Sequence, residues 1–230
     1  GGRLGRREVA ALGNPRETEA EHPTGREMNG LHLLTYDGGE TGPKRMAELI
    51  ASQTARAREY GCFETILTLG PNALMNGIFP VVASAALAVP RGAGAWVWKP
   101  YIILRRLLEI PQGDILLYLD GDLSLQDDLS HFALKAREVG VATCLGWKPG
   151  THIRLTKRDC LIRLDADREP YLSATQVWAA AIAVHNVPQA TMLIVEWLLA
   201  CCAPDVLTDS PSHLAPEHPE FVEHRYDQSV

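Results

Sequence analysis

The sequence predicts one α/β domain whose central sheet is mostly parallel and flanked by helices. Segments typical of strands and of helices alternate from residue 31 to about residue 147, which is the pattern of βαβ units. The chain has 230 residues, of which 46% are hydrophobic and 22% are charged. This length and composition are sufficient for one sizeable hydrophobic core. Residues 1–27 are polar and lack sustained periodicity, so we expect a tail or linker there and the domain over residues 28–230.

Short apolar runs mark the predicted strands. They read LHLLTY, TILTLG, ILLYL and VATCLGW, and each is bounded by glycines or turn residues. Apolar residues recur at helical spacing from Met46 to Ala57, and Pro100 suits the first turn of a helix that Pro111 ends. The run VWAAAIAVHN fits a strand or a helix, and we expect a strand because a clear helix, residues 188–202, follows directly.

Composition and charge argue against several classes of function. The formal net charge is −6, whereas a nucleic-acid-binding protein is expected to carry a basic stripe. The most apolar runs are interrupted well before ~20 residues, so no membrane span is predicted. Five cysteines without regular spacing predict neither a disulfide framework nor a zinc site, and free cysteines favour a reducing compartment. The sequence leaves open a cytoplasmic domain or a Golgi-luminal one whose anchor was removed.

The stretch GDILLYLDGDLSL, residues 113–125, predicts a metal site. Asp120 and Asp122 directly follow an apolar strand, at the end of the sheet where open α/β folds bind ligands. In an extended segment residues i and i+2 point to the same side, so the two carboxylates repel unless a cation lies between them. Mg²⁺ or Mn²⁺ would relieve this repulsion, and Gly121 would leave room for a ligand. The alternative is that both aspartates are turn and cap residues.

Two metal-dependent chemistries compete for this pair of aspartates. In one, the ion bridges the diphosphate of a nucleotide-sugar. In the other, LYLDGDLS resembles the first motif of haloacid-dehalogenase-like phosphatases, which implies Asp120 as nucleophile and Asp122 as general acid. Against the second, roughly 90 residues of apparent fold precede a motif that belongs on the first strand of such domains. A non-catalytic domain that binds a sugar or nucleotide is a third class, because fold does not imply activity.

Three separated segments carry a resemblance to a known family. They are RGAGAWVWKPY (residues 91–101), GDILLYLDGD (residues 113–122) and EHRYDQS (residues 223–229), and the piece around Gln176, SATQVWAAAIAVHN, is also similar. In this order they resemble small glycosyltransferases with the GT-A fold, over most of residues 30–230. The resemblance implies a Rossmann-like GT-A sheet, a UDP- or GDP-linked sugar donor, Mn²⁺ or Mg²⁺ on a DxD motif, and a carbohydrate or other hydroxyl acceptor.

The resemblance and the positions of the residues together imply a set of site residues. The loop after the first strand would contact the nucleoside, and a lysine at a helix N-terminus would suit a phosphate. The C-terminal cluster would supply a general base, a metal ligand and a phosphate contact. The implied donor-binding residues are Thr35, Tyr36, Lys99, Asp120, Gln176, Arg225 and Gln228, the metal ligands are Asp120, Asp122 and His224, and the catalytic carboxylates are Asp227 and Glu223.

Several of these assignments have a structural alternative. Lys99 is equally well explained as a solvated charge. The EHRYDQS run is typical of an exposed charged tail, but we expect it to fold back to the sheet end because Phe221 and Val222 can anchor it to the core. The segment TKRD, residues 156–159, is either part of an acceptor loop or a polar turn, and the polar turn is favoured.

Overall fold

The computed structural model shows a sheet flanked by helices across the predicted domain. The described residues are 30–38, 43–75, 77–125, 129–146 and 148–230. The predicted tail, residues 1–27, lies outside the described residues.

Five strands form one sheet in the order β2-β1-β3-β5-β4. The strands are β1 (Leu31–Tyr36), β2 (Thr65–Leu69), β3 (Ile115–Leu119), β4 (Val141–Cys144) and β5 (Trp178–His185). β1 pairs in parallel with β2 and β3, whereas β5 pairs antiparallel with β3 and β4. Four strands therefore run in one direction and β5 runs against them. The predicted, mostly parallel sheet is confirmed, and so is the strand expected in VWAAAIAVHN.

The described residues contain ten α-helical segments. They are α1 (Pro43–Tyr60), α2 (Phe79–Val82), α3 (Ser84–Leu87), α4 (Gly92–Ala95), α5 (Trp98–Leu107), α6 (Ser130–Val139), α7 (His152–Leu155), α8 (Arg158–Arg163), α9 (Pro188–Cys201) and α10 (Pro204–Leu207). Two 3₁₀ turns occur at Pro71–Leu74 and Tyr226–Gln228. The segment between β2 and α5 is a series of short helical turns. None of the described helices combines the length and apolarity needed to cross a membrane.

Helices cover both faces of the sheet. On one face, Leu34, Leu116 and Val184 pack with residues of α5 and α9. On the other face, Leu33 and Leu117 pack with residues of α1 and α6. Alternate strand residues point to opposite faces, so β1 and β3 are buried along their whole length. This burial, worth about 1.5–3 kcal/mol for each large apolar side chain, fixes the position of whatever follows β3.

The strand order creates a natural position for a ligand. β2 and β3 lie on opposite sides of β1. The connections that follow β1 and β3 therefore leave toward opposite edges of the sheet. Open α/β sheets bind ligands in the crevice at such a switch point. Asp120 directly follows β3 at this crevice, and residues of the sequence-distant C-terminal segment join it there.

Candidate active site

Lys99 lies at the centre of the candidate site and joins two of its carboxylates. Its side chain is only 3% exposed, and Nζ lies 3.2 Å from Asp120 Oδ1 and 3.0 Å from Asp227 Oδ2. Nζ also donates a hydrogen bond to the Ala179 carbonyl at 3.2 Å. These three polar neighbours surround the ammonium group, which has three donors. The interpretation of Lys99 as a solvated charge is therefore wrong, and its charge is already directed at two carboxylates of the site.

A left-handed turn places Lys99 in the first turn of α5. Residues 92–96 all have positive φ, between 46° and 105°. This conformation costs an L-residue roughly 1–2 kcal/mol, so the turn is strained at its three non-glycine positions. A Cβ on Gly92 would lie 2.4 Å from the ring of Trp96, and the Trp98 indole N–H closes the turn by donating to the Gly92 carbonyl at 2.9 Å. Strain of this kind collects at functional sites.

Asp120 is held on both its side chain and its backbone. The Tyr118 hydroxyl donates to Asp120 Oδ1 at 2.5 Å. The Asp120 N–H donates to the Ala180 carbonyl at 2.8 Å, and the Gln53 amide donates to the Asp120 carbonyl at 3.0 Å. Burial, followed by the charge of Asp120, raises the pKa of Tyr118 well above its usual value, so this hydroxyl stays a donor.

The C-terminal segment folds back to the sheet end, as predicted. Asp227 lies in the 3₁₀ turn, and the Trp197 indole donates to its carbonyl at 3.0 Å. The Ser229 hydroxyl donates to the Leu155 carbonyl at 2.8 Å. The predicted anchor at Phe221 and Val222 is wrong for Val222, which is 61% exposed. Buried hydrogen bonds fasten the segment instead, because they satisfy polar groups that burial would otherwise penalise.

The charges around Lys99 influence one another. Burial lowers the pKa of Lys99, but the charges of Asp120 and Asp227 raise it above its usual range, so this lysine is charged. Burial raises the pKa of Asp227 to about 6, the charge of Lys99 opposes that rise, and the charge of Asp120 adds to it. Asp227 Oδ2 lies at ion-pair distance from Lys99 yet has no hydrogen-bond partner of good geometry. Asp227 is therefore mainly ionised at neutral pH and protonated in mild acid.

These groups face a pocket of about 280 Å³ at the switch point. Its lining includes four of the residues that the resemblance implies bind a donor, so we call it the donor pocket. Its lining includes three cationic and three anionic side chains, which are Arg91, Lys99, Arg225, Asp120, Glu223 and Asp227. Arg225 Nε lies 2.9 Å from Glu223 Oε1, and its Nη1 donates to the Lys148 carbonyl at 3.1 Å. Gln228 lines the same pocket. The donor pocket is therefore close to charge balance.

Asp122 is exposed and sits two residues beyond Asp120. Burial of part of its carboxyl, followed by the charge of Asp120, raises the pKa of Asp122, so a cation near the pair would be favourable. Gly121 between them does not leave room for a ligand as predicted. A Cβ there would lie 2.9 Å from Ile50 Cγ1, so the glycine allows close packing against α1.

His224, predicted as a metal ligand, has both ring nitrogens engaged within the protein. The Lys157 backbone N–H donates to Nδ1 at 3.2 Å, and Nε2 lies 3.0 Å from the Leu207 carbonyl. Burial lowers the pKa of His224 to about 4, so the ring is neutral at pH 7, with the proton on Nε2 by this bonding. As placed, the ring has no free nitrogen for a metal ion and instead fastens the C-terminal segment.

Three predicted donor-binding residues, Thr35, Tyr36 and Gln176, are buried and do not line the donor pocket. The ring of Tyr36 stacks on Trp98 with centroids 4.0 Å apart. The Gln176 amide donates to Ser229 Oγ at 3.1 Å, and its carbonyl oxygen accepts from the Gln228 amide at 2.8 Å. The side chains of Tyr36 and Gln176 therefore hold neighbouring residues of the site in place, whereas the buried Thr35 hydroxyl has no hydrogen-bond partner among the described residues.

Sequence reasoning missed two residues of the site region. Tyr118 could have been found, because it stands two residues before Asp120 on a strand and so shares its side. Lys157 lies in the TKRD segment, whose interpretation as a polar turn is wrong: Lys157 is 1% exposed and the segment begins α8. Burial raises the pKa of Asp159, but hydrogen bonds from the backbone N–H groups of His213 and Leu214 lower it below its usual value. The same two hydrogen bonds hold the start of α8 to the loop that contains His213 and Leu214.

No protein-family model matches this chain, and a search of curated proteins finds no match. Among solved structures, the chain is similar to the crystal structure of mouse xyloside xylosyltransferase 1 in its apo form. The two are 11% identical, with a TM-score of 0.43 over 86% of this chain and 78% of that chain. The function proposed below therefore rests on the side chains of this chain's own site.

Proposed function

We propose that the chain is a glycosyltransferase that moves a sugar from a nucleotide-sugar donor to a hydroxyl acceptor. One observation carries the proposal: Lys99 contacts both Asp120 and Asp227 at the switch point of the sheet. This ion group joins the three separated segments on which the family resemblance rests. Because α/β sheets bind ligands at this crevice, the convergence favours a binding site over a purely structural cluster.

Two arginines suit the diphosphate of the donor. Arg91 and Arg225 line the donor pocket, and a guanidinium group can give two parallel hydrogen bonds to a phosphate. Arg91 is exposed, whereas Arg225 already contacts Glu223. The arginines are therefore better placed than Lys99 to meet an incoming phosphate.

The charges of the site fit a divalent ion held by Asp120 and Asp122. The donor pocket is close to charge balance, so an entering diphosphate needs further positive charge. The raised pKa of Asp122, caused by burial and then by the charge of Asp120, supports a cation at this pair. Mg²⁺ or Mn²⁺ bound there would offset the charge that develops on the leaving diphosphate.

Transfer that inverts the anomeric centre requires a base near the acceptor hydroxyl, and a carboxylate can serve as this base. A new bond joins the acceptor oxygen to the anomeric carbon, the bond from that carbon to the diphosphate breaks, and the acceptor proton moves to a base. Glu223 and Asp227 both line the donor pocket. Glu223 is 54% exposed and can meet an acceptor, whereas buried Asp227 holds Lys99 in place. Glu223 is therefore the preferred base.

Donor turnover without an acceptor tests the proposal. We expect slow, Mn²⁺-dependent hydrolysis of a UDP- or GDP-linked sugar, and we expect Asp120→Asn to lower its rate by about tenfold or more. Asp165→Asn is the matched control, because that carboxylate is 88% exposed and pairs with Arg168 three residues away. Binding without turnover would indicate a non-catalytic domain. Robust hydrolysis of p-nitrophenyl phosphate that Asp120→Asn abolishes would indicate the phosphohydrolase instead.

A further inference from the structure

A second, larger pocket shares a wall with the donor pocket. It has a volume of about 430 Å³, and we call it the side pocket. The residues common to both linings are Arg91, Glu223, His224 and Tyr226. The two linings therefore meet at these residues, and a molecule in the side pocket would lie next to a molecule in the donor pocket.

Hydrogen bonds and a cation–π contact hold the side chains of this shared wall in place. Tyr226 has a φ of 50°, and its hydroxyl donates to Asp209 Oδ2 at 2.6 Å. The Arg91 guanidinium carbon lies 5.1 Å from the centroid of the Tyr226 ring, which is the distance of a cation–π contact. His224 is fixed by its bonds to Lys157 and Leu207. Glu223 is the one carboxylate among these four residues, and it is exposed.

The lining of the side pocket mixes donors, acceptors and an aromatic side chain. The buried Lys157 ammonium lies 3.1 Å from Ser210 Oγ and 3.3 Å from the Ser210 carbonyl, which uses two of its three donors. Asp209, Ser212 and Glu217 add acceptors, and Phe221 adds an aromatic face. Because cations and anions are both present, the lining does not favour a second phosphate.

A contrasting pocket lies next to α9 and is mainly apolar. It has a volume of about 200 Å³ and is lined by side chains such as Val141, Leu193 and Ile194. It would suit an apolar group, whereas the side pocket suits a ligand with many hydroxyl groups, each of which both donates and accepts.

We infer that the side pocket is the acceptor site and that the acceptor is an uncharged, polyhydroxylated molecule of the carbohydrate class. The inference rests on the proposed function. It assigns the TKRD segment to the acceptor site through Lys157, and it places Glu223 beside the acceptor hydroxyl, where the two pockets meet.

A blocking substitution tests the acceptor site. Ser210 is exposed at the side pocket and does not line the donor pocket, so Ser210→Trp can fill the side pocket from its solvent side. Ser52→Trp, at an exposed position of α1, is the matched control. The probes are UDP- and GDP-linked sugars as donors, with a panel of methyl glycosides and of simple alkyl alcohols as acceptors.

We expect transfer to at least one methyl glycoside. Ser210→Trp should lower kcat/KM for that acceptor by about tenfold or more, and Ser52→Trp should leave it within about twofold. Nucleotide affinity of Ser210→Trp reports on its folding, and we expect it to match wild type. The inference is overturned if Ser210→Trp transfers as well as wild type, or if a protein that hydrolyses the donor accepts no glycoside or only alkyl alcohols. Failure to bind or hydrolyse any donor would instead overturn the proposed function, and this inference with it.

Discussion

At each of its two ends, the central strand β3 has an aspartate that is paired with a buried basic side chain. Asp114 precedes the strand, and its Oδ2 lies 2.9 Å from Nε2 of His32, which is 2% exposed. Asp120 follows the strand and contacts Lys99, which is 3% exposed. The two aspartates stand six positions apart on one chain segment. The two ends therefore give an internal comparison between two similar pairs in one fold.

The two pairs differ in what surrounds them. At the amino end, both nitrogens of His32 are bonded, with Thr65 Oγ1 at 2.8 Å from Nδ1, so the pair ties β1, β2 and β3 together. At the carboxyl end, one lysine serves two carboxylates, and the group faces a pocket beside a strained turn. A lysine that is paired with two carboxylates beside a pocket can change its pairing when a ligand binds. A pair whose hydrogen bonds are all made within the fold contributes only to stability.

The amino end also contains a group with the composition of a metal site. Among the residues that the structure describes, one set of three His or acidic residues has all its ligand atoms within 4.8 Å, and it consists of His32, Glu64 and Asp114. Asp120, Asp122 and His224 do not form such a set. A metal at Asp120 and Asp122 would therefore draw its other ligands from water and the donor's phosphates.

The largest expected effect is the loss of the shared lysine. Lys99→Met would leave Asp227 buried beside Asp120 without a cation, and breaking a buried ion pair costs about 3–5 kcal/mol of unfolding free energy. Lys135→Met is the control, because it breaks an exposed pair with Glu138 that is worth at most about 1 kcal/mol. Denaturant unfolding measures both. Equal stability of the two variants would show that Lys99 does not organise the site.

The next effect is a pH dependence that belongs to Asp227. Its folded pKa of about 6 lies above the ordinary value of 3.8, so the folded protein binds more protons between these pH values. Its contribution to stability is present at low pH and is lost as pH rises through this window, by about 3 kcal/mol. Unfolding of wild type and of Asp227→Asn at pH 4 and at pH 7 isolates this contribution. A difference between the two proteins that stays constant with pH would contradict the raised pKa.

A smaller effect is expected at the amino end. His32→Gln should cost about 1–3 kcal/mol of stability, because it disturbs the buried hydrogen bonds to Asp114 and Thr65. Nucleotide affinity should stay within about twofold of wild type, since this pair lies at the opposite end of β3. Loss of nucleotide binding in a folded His32→Gln protein would show that the two ends are not independent.

The smallest effect on stability is expected at Asp122. Because its side chain is exposed, Asp122→Asn should change the unfolding free energy by no more than about 0.5 kcal/mol. The same change should weaken Mn²⁺ binding, and nucleotide binding in its presence, by about tenfold. Calorimetry with Mn²⁺ and UDP or GDP measures this. Unchanged affinity would remove Asp122 from the metal site.

The comparison also shows how far sequence reasoning reaches. Local rules place Asp120 at a sheet end, because an apolar strand and the i, i+2 spacing are visible in one short segment. The contact of Lys99 with Asp227 joins residues that lie far apart in the chain, so no local pattern predicts it. The burial of Lys157 was missed for the same reason, since a later loop covers TKRD.

Nucleotide binding to matched variants at the two ends of β3 tests the central claim most directly. The measurement is calorimetric titration of UDP and GDP, in Mn²⁺, into wild type, Asp120→Asn and Asp114→Asn. We predict that wild type binds one of the nucleotides, that Asp120→Asn weakens the affinity by about tenfold or more, and that Asp114→Asn changes it by less than about twofold. An equal loss in both variants, or no binding of either nucleotide by wild type, would contradict a donor site at the carboxyl end of the sheet.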